Sequence, residues 1–468
     1  MILPALTEAT SPLFRPVKYS LFPPLGLATL AGYLRDGDDV EIQDEHVERL
    51  HLDDAPDLVV IQVYITSARR AYEIADLYRS RGAHVCLGGL HVTTLPEEAA
   101  RHADTIFLGP GEGTWPRFLE DFREGRAGTV YRSKEHTLAG LPPIRRDLIK
   151  RRLYLVPNSI VVSRGCPHQC DFCYVKSFFG KGRHFYTQAV DATLAEIDRL
   201  PGRHVYFLDD HLFGNPRFAS ALFEGMRGMG KLWQAAGTVE SVLGPRLVEQ
   251  AAAAGLRSLF VGFETLDSGN LREQNKPHNL GRDYAAAIRR LHDNGVMING
   301  SFVFGMDEDD ESVFGRTVEW AVSQGIETAT FHIMTPYPGT SLFQRIAAQK
   351  RILHRDWDLY DTRHTVFQPL KMSAEALESG YWRAYRDFYK WRNICRGALS
   401  HTQTIDALRH AAYASGWKKF EPLWDFVIRA RRLAMMLPFL EGILSGFGVR
   451  SSADQTCPHP SASLPDHA

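Results

Sequence analysis

The chain has 468 residues, more than one ordinary domain holds, so roughly two or three domains are expected. Its 44% hydrophobic content is enough to build real cores, which excludes wholesale disorder. The 54 basic and 55 acidic side chains nearly cancel, so no global field favours nucleic acid or an anionic membrane.

Read from the N-terminus, Met-Ile-Leu-Pro-Ala-Leu is too short and uncharged for a signal peptide. No apolar run approaches the roughly 18 residues a spanning helix requires, and a cytoplasmic protein is expected. Strands are predicted at 2–6, 40–43, 58–64, 84–88 and 105–109, with helices at about 24–35, 67–81, 95–102 and 114–124. Strands that are apolar throughout and joined by helices indicate a parallel sheet covered on both faces. This predicts an α/β, doubly wound, flavodoxin-like domain over 1–140, with its ligand at the carboxyl ends of the strands.

A Pro-, Arg- and Lys-rich segment, 141–158, reads as a linker. A second series over 159–365 places strands at 159–164, 204–209, 235–241, 258–264, 300–305 and 328–335. The intervening helices fall at about 188–199, 216–229, 246–254, 282–294, 311–324 and 341–349. Six β/α units predict a partial TIM-type barrel, whose active residues gather at the strands' C-terminal ends. Residues 366–450 carry helical spacing rich in aromatic residues, and the tail 451–468 reads as disordered.

The strongest local signal follows the first barrel strand: Cys166, Cys170 and Cys173, spaced C-x3-C-x2-C. Three thiolates at that spacing cap three irons of a 4Fe–4S cluster and leave the fourth iron open to a small molecule. With half of the six cysteines in one cluster, metal ligation in a reducing compartment fits better than a disulfide framework. The bland alternative is zinc, with His168 or His184 as fourth ligand, but zinc ligands usually come as two separated pairs. Cys395 and Cys457 lack partners in the sequence and read as incidental.

The triad, with aromatic Phe172 before its last cysteine, resembles the radical S-adenosylmethionine superfamily. The resemblance runs on through Phe207-Leu-Asp-Asp-His, Gly262-Phe-Glu264, Gly300 to Gly305 with Asp307, and Thr335-Pro-Tyr-Pro-Gly-Thr340. It implies that S-adenosylmethionine chelates the open iron and is cleaved to a deoxyadenosyl radical, while the barrel excludes water. Phe172, Tyr174, Asp209, Asp210, Glu264 and Gly305 are the implied S-adenosylmethionine contacts. Each alone is weak, because an acid at a strand end is as often a cap or a salt-bridge partner.

Gly-rich strand-to-helix turns let backbone N–H groups approach a ligand closely. They occur at Gly88-Gly89-Leu-His91 and Gly109-Pro-Gly111-Glu112-Gly113, without the G-x-G-x-x-G of a dinucleotide fold. With Pro23-Pro24-Leu25-Gly26 they resemble the cobalamin-binding domain of class B radical enzymes, in the hopanoid-methylase-like and anaerobic protoporphyrin-ester-cyclase-like branch. The implied corrinoid contacts are Leu25, Gly26, Thr66, Ser67, Gly88, Gly89, His91, Gly109, Gly111 and Glu112. Tight-turn geometry alone is the bland reading of the glycines, and an N-cap is that of Thr66 and Ser67. Asp44-Glu-His46 imitates the start of the cobalt-ligating D-x-H-x-x-G, but Arg49 replaces the glycine and the strand is the wrong one. His46 is read as a surface loop residue.

The resemblance thus implies a 4Fe–4S cluster, S-adenosylmethionine and cobalamin, and a methyl transfer to an unactivated carbon of a natural-product or lipid-like substrate. A flavodoxin or ferredoxin would supply electrons. No protein base is nominated, since hydrogen abstraction from an sp3 carbon needs none. A non-methylating cyclase or ring-rearranging relative is the near rival, and a non-catalytic corrinoid carrier the distant one. A methylthiotransferase is disfavoured because Cys86 is the N-terminal domain's single cysteine. Aromatics around Trp357 and over Gly416–Asp425 read as core before substrate cage, and apolar 433–444 as packing before pocket lining or peripheral membrane contact.

Overall fold

The computed structural model describes residues 1–6, 9, 20–134, 137–179 and 185–448; His184, Cys457 and the tail from Ser451 lie outside the described residues. Within the N-terminal domain six strands form one parallel sheet: β1 (Ile2–Leu3), β2 (Gln43–Asp44), β3 (Leu58–Gln62), β4 (His84–Gly88), β5 (Thr105–Leu108) and β6 (Val130–Arg132). Their order is β2-β1-β3-β4-β5-β6, the doubly wound arrangement expected, with β6 added at the edge. The central strands β3, β4 and β5 carry Val, Ile, Leu and Phe on both faces because helices cover both. Separate apolar clusters accordingly lie on the two sides of the sheet, one around Tyr72, Ile74 and Tyr78, the other around Trp115 and Phe118. Order reverses between β1 and β3, and at such a switch point the carboxyl ends of the strands open a crevice.

The segment 141–158 is less of a spacer than its composition suggests. It contains two short 3-10 turns, and Leu153, Tyr154, Leu155 and Val156 are buried. Tyr154 donates a hydrogen bond to Asp44 at 2.9 Å, tying it to the first sheet.

The second sheet contains β7 (Ser159–Ile160), β10 (His204–Phe207), β11 (Leu232–Thr238), β12 (Leu256–Glu264), β13 (Met297–Phe304) and β14 (Thr328–Ile333), all parallel in sequential order. This is the six-unit partial barrel. Outward-facing Phe207, Trp233, Phe263 and Phe302 join one large core with the surrounding helices. Strand β11 lies three residues earlier than the predicted 235–241, because Thr238 caps the helix Val239–Leu243 and stops the strand. An additional antiparallel pair, β8 (Ser163–Gly165) with β9 (Phe185–Thr187), frames the cysteine loop. The C-terminal part is helical as expected, with helices Ala374–Phe388, Trp391–Ala398, Thr404–Lys418, Glu421–Arg429 and Leu437–Leu444. Among the described residues no helix is long and apolar enough to cross a membrane.

Candidate active site

Gly165, at φ +80°, turns the chain out of β8 and into the cysteine loop. The loop is held from several sides. Asp171 N–H donates to the Gln274 carbonyl at 3.0 Å, and its carboxylate pairs with Arg345 at 3.0 Å. Asn275 donates to the Gln169 carbonyl at 3.0 Å, and Leu342 N–H to the Asp171 carbonyl at 3.0 Å. Cys166, Cys170 and Cys173 are therefore presented by a braced loop, as an oxygen-sensitive metal site requires. Burial pushes the Cys166 thiol up to about 11 and the Cys173 thiol up to about 12, a penalty that iron ligation removes by taking the proton's place. Among the described residues the only three ligand atoms within 4.8 Å of one another lie elsewhere, so these sulfurs are set wider than a single zinc ion gathers them. His168 is engaged otherwise, its ring stacked on His278 with centroids 3.5 Å apart.

The two neighbouring acids diverge. Asp209 is buried and accepts from Ser163 Oγ at 2.5 Å and from the Val162 N–H at 3.2 Å, so it locks the end of β7. Asp210 accepts from Gly165 N–H and from the Tyr174 hydroxyl, each at 3.0 Å, and faces a cavity. Glu264 ends β12 with φ +65°, a strained conformation for a side-chain-bearing residue. Its carboxylate pairs with buried Lys276 at 2.7 Å, and the ammonium lies 5.9 Å from the Phe172 ring. Gly305, at φ +94°, is packed against Leu377 and gives its N–H to Asp309 at 2.9 Å.

A cavity of about 650 Å³ lies between the carboxyl ends of the first sheet and the mouth of the barrel. From the N-terminal domain it is lined by Gly26, Thr66, Gly88, Gly89, Gly109, Gly111 and Glu112, seven of the ten residues singled out there. Leu25, Ser67 and His91 are buried behind it. Gly89 shows why no side chain is tolerated: at φ +115° a Cβ would stand 2.9 Å from the Val63 carbonyl oxygen. The barrel contributes Arg164, Tyr174, Asp210, Tyr337 and Tyr360 to the same cavity. Arg164 forms an ion pair with Glu112 across the two domains, and Glu112 outweighs burial in keeping the guanidinium charged. His91 Nε2 meets Glu98 at 2.9 Å, and Glu98 accepts from Trp357 Nε1 at 3.1 Å, a second clasp between the domains. His46, expected at the surface, is mostly buried and held by Asp44 at 2.8 Å, away from the cavity.

A second cavity, of about 460 Å³, occupies the barrel interior and runs under the C-terminal helices. Its walls include Tyr206, Phe260, Asn299 and Thr330 from the strands, and Tyr381, Trp417, Trp424, Phe439, Leu440 and Ile443 from the helices. Of the segments read as core, Trp417, Trp424, Phe439, Leu440 and Ile443 thus line a pocket, while Trp357 and Leu433 pack as expected. The sequence could not reveal this, because helical spacing is the same for a face that packs and one that lines a cavity. Asp361 and Thr362 face the first cavity and Arg363 the second, so this short stretch divides them.

Asp361 pairs with Arg363 at 2.8 Å and with His364 at 3.1 Å. Burial raises its carboxyl, but His364 and Arg363 outweigh burial and hold it at about 2. A depressed carboxyl stabilises the fold above its unfolded pKa of about 3.9, and that stability is lost as pH falls toward the folded value. Between those limits the protein should lose roughly 2–3 kcal/mol that Asp361→Asn does not lose, measured by denaturant unfolding at stepped pH.

An α/β sheet with a glycine-floored crevice, stacked on a partial barrel whose mouth carries a loop with three unpaired cysteines, is the architecture of a radical enzyme with one cofactor site in each domain. Comparison with known proteins places it further. The Radical SAM superfamily profile matches residues 160–321, and the B12 binding domain profile residues 17–119. The chain is 32% identical over 353 residues to bacteriochlorophyllide d C-12(1)-methyltransferase of Chlorobaculum tepidum, covering 73% of this chain and 76% of that protein. It is 29% identical over 395 residues to the C-8(2)-methyltransferase of the same organism, covering 78% and 85%. The fold matches the radical S-adenosylmethionine methyltransferase TsrM from Kitasatospora setae with a TM-score of 0.62, at 15% identity over 93% of this chain and 98% of that one. The chain belongs to the cobalamin-binding radical S-adenosylmethionine enzymes, with a 4Fe–4S cluster, S-adenosylmethionine and cobalamin as its cofactors.

Proposed function

We propose that the enzyme methylates an unactivated carbon of an apolar natural-product or lipid-like substrate held in the barrel cavity. The observation that carries this reading is the pair of cavities meeting at Asp361–Arg363, one floored by glycines and one walled by aromatics. When bound, the cluster with S-adenosylmethionine supplies a hydrogen-abstracting radical, and cobalamin supplies the methyl group. Cys166, Cys170 and Cys173 hold the cluster. Phe172, Tyr174, Asp210 and Glu264 stand around it as the wall for S-adenosylmethionine, with Lys276 fixing Glu264. Gly88, Gly89, Gly109 and Gly111 would hold the corrinoid by leaving room beside the backbone, and the Glu112–Arg164 pair closes the cavity's side. Dense packing of the two domains keeps water out and brings methyl donor and substrate within reach of each other. The reductant is a one-electron carrier of flavodoxin or ferredoxin type in a reducing cytoplasm.

A tetrapyrrole of the bacteriochlorophyllide kind is the first substrate to try, given the relatives. Anaerobic reaction with S-adenosylmethionine carrying a deuterated methyl group should give 5′-deoxyadenosine and product bearing that methyl. Deoxyadenosine with an unmethylated, oxidised product would overturn methyl transfer in favour of cyclisation. Gly89→Ala should cost at least about 1–3 kcal/mol of local strain and empty the protein of cobalamin, with iron content unchanged, as read by absorbance and metal analysis.

A further inference from the structure

At the opposite end of the barrel from the cysteines, three segments distant in sequence bring three imidazoles around one carboxylate. Glu327 stands just before β14 and is fully buried; one oxygen accepts from the Ile298 N–H at 2.8 Å. Its other oxygen faces His292 Nε2 at 3.4 Å and His401 Nε2 at 3.6 Å. Those three ligand atoms lie within 4.8 Å of one another, and His410 Nδ1 is 3.1 Å from His401 Nε2.

As hydrogen bonds the two contacts to Glu327 are poor, since good N–H···O distances run about 2.7–3.2 Å. His292 Nε2 is buried with no hydrogen-bond partner. As edges of a coordination tetrahedron they are right: bonds of about 2.0–2.1 Å put neighbouring ligand atoms roughly 3.3–3.5 Å apart. His410 stands beside the site, its Nδ1 against His401. The donor set, two or three nitrogens and one carboxylate oxygen, is that of zinc or a similar first-row divalent ion.

The geometry points to a structural divalent-metal site, zinc by its chemistry, ligated by His292, Glu327 and His401 with His410 at its side. The site joins the end of helix Tyr284–Asp293 and the start of β14 to the turn before helix Thr404–Lys418. That last helix carries Tyr413 and Trp417 into the barrel cavity, so the ion would pin the cavity's helical wall to the barrel base.

The test uses the complete enzyme with its iron–sulfur cluster and cobalamin loaded, dialysed against zinc and then against metal-free buffer. Metal analysis should find about one zinc per chain, and zinc-edge X-ray absorption a shell of nitrogen and oxygen alone at about 2.0–2.1 Å. Glu327→Gln, and the milder His292→Gln, which lies at a less buried ligand, should each lower retained zinc at least about tenfold. Zinc in the wild type no higher than in His292→Gln would overturn the site. So would a sulfur shell at about 2.3 Å, which would put the ion on the cysteines instead.

Discussion

Cys173→Ala should abolish S-adenosylmethionine cleavage while leaving cobalamin in place. The expected fall in deoxyadenosine formation is on the order of 10³-fold or more, equivalent to about 4 kcal/mol or more of lost barrier lowering. The separation of the two effects follows from the architecture. The cysteine loop hangs from the barrel, on contacts with Gln274, Arg345 and Leu342, whereas the glycine floor of the corrin cavity belongs to the other sheet. Loss of one cluster corner leaves those floor contacts untouched. Iron and cobalt analysis together with deoxyadenosine quantification checks this; loss of both metals would mean that the loop also holds the interdomain cavity together.

Lys276→Met should be the most destabilising single change near the site. Lys276 and Glu264 pair at 2.7 Å with side chains only 6% and 11% exposed. Burial disfavours the ammonium, but Glu264 and Cys170 outweigh it and hold its pKa up. Removing the lysine leaves a carboxylate buried without its counter-ion, which costs roughly 3–5 kcal/mol. For a domain of this size that corresponds to a fall of about 6–20 °C in the thermal midpoint. The double variant with Glu264→Gln should recover a large part of the loss, because no uncompensated charge then remains buried. A melting series of the two single variants and the double variant measures the coupling directly.

Much of the architecture was legible because buried parallel strands announce themselves as short apolar runs between helical stretches. All six barrel strands and the first five strands of the first sheet lie within a few residues of their predicted places. What escaped notice has local reasons. Strand β6 is three residues long with two of them exposed, so it carries no apolar run. Strands β8 and β9 flank a loop, and their pairing depends on Gly165 turning the chain back. Asp209 and Asp210 are indistinguishable in sequence, and only the path of the chain beyond β10 sends one into the protein and the other to the cavity. The His292, Glu327 and His401 cluster is spread over 110 residues without a motif, so only the fold assembles it.

The corrin cavity has walls drawn from Gly26, Glu112, Arg164 and Tyr360, positions spread across most of the chain. No isolated half of the protein owns it. A corrin held there would act as a rivet: its binding free energy would be available only to the assembled chain, joining two domains into one cooperative unit. Such a corrin would load only once both domains have folded, and its binding would raise the stability of the whole chain and not of one half.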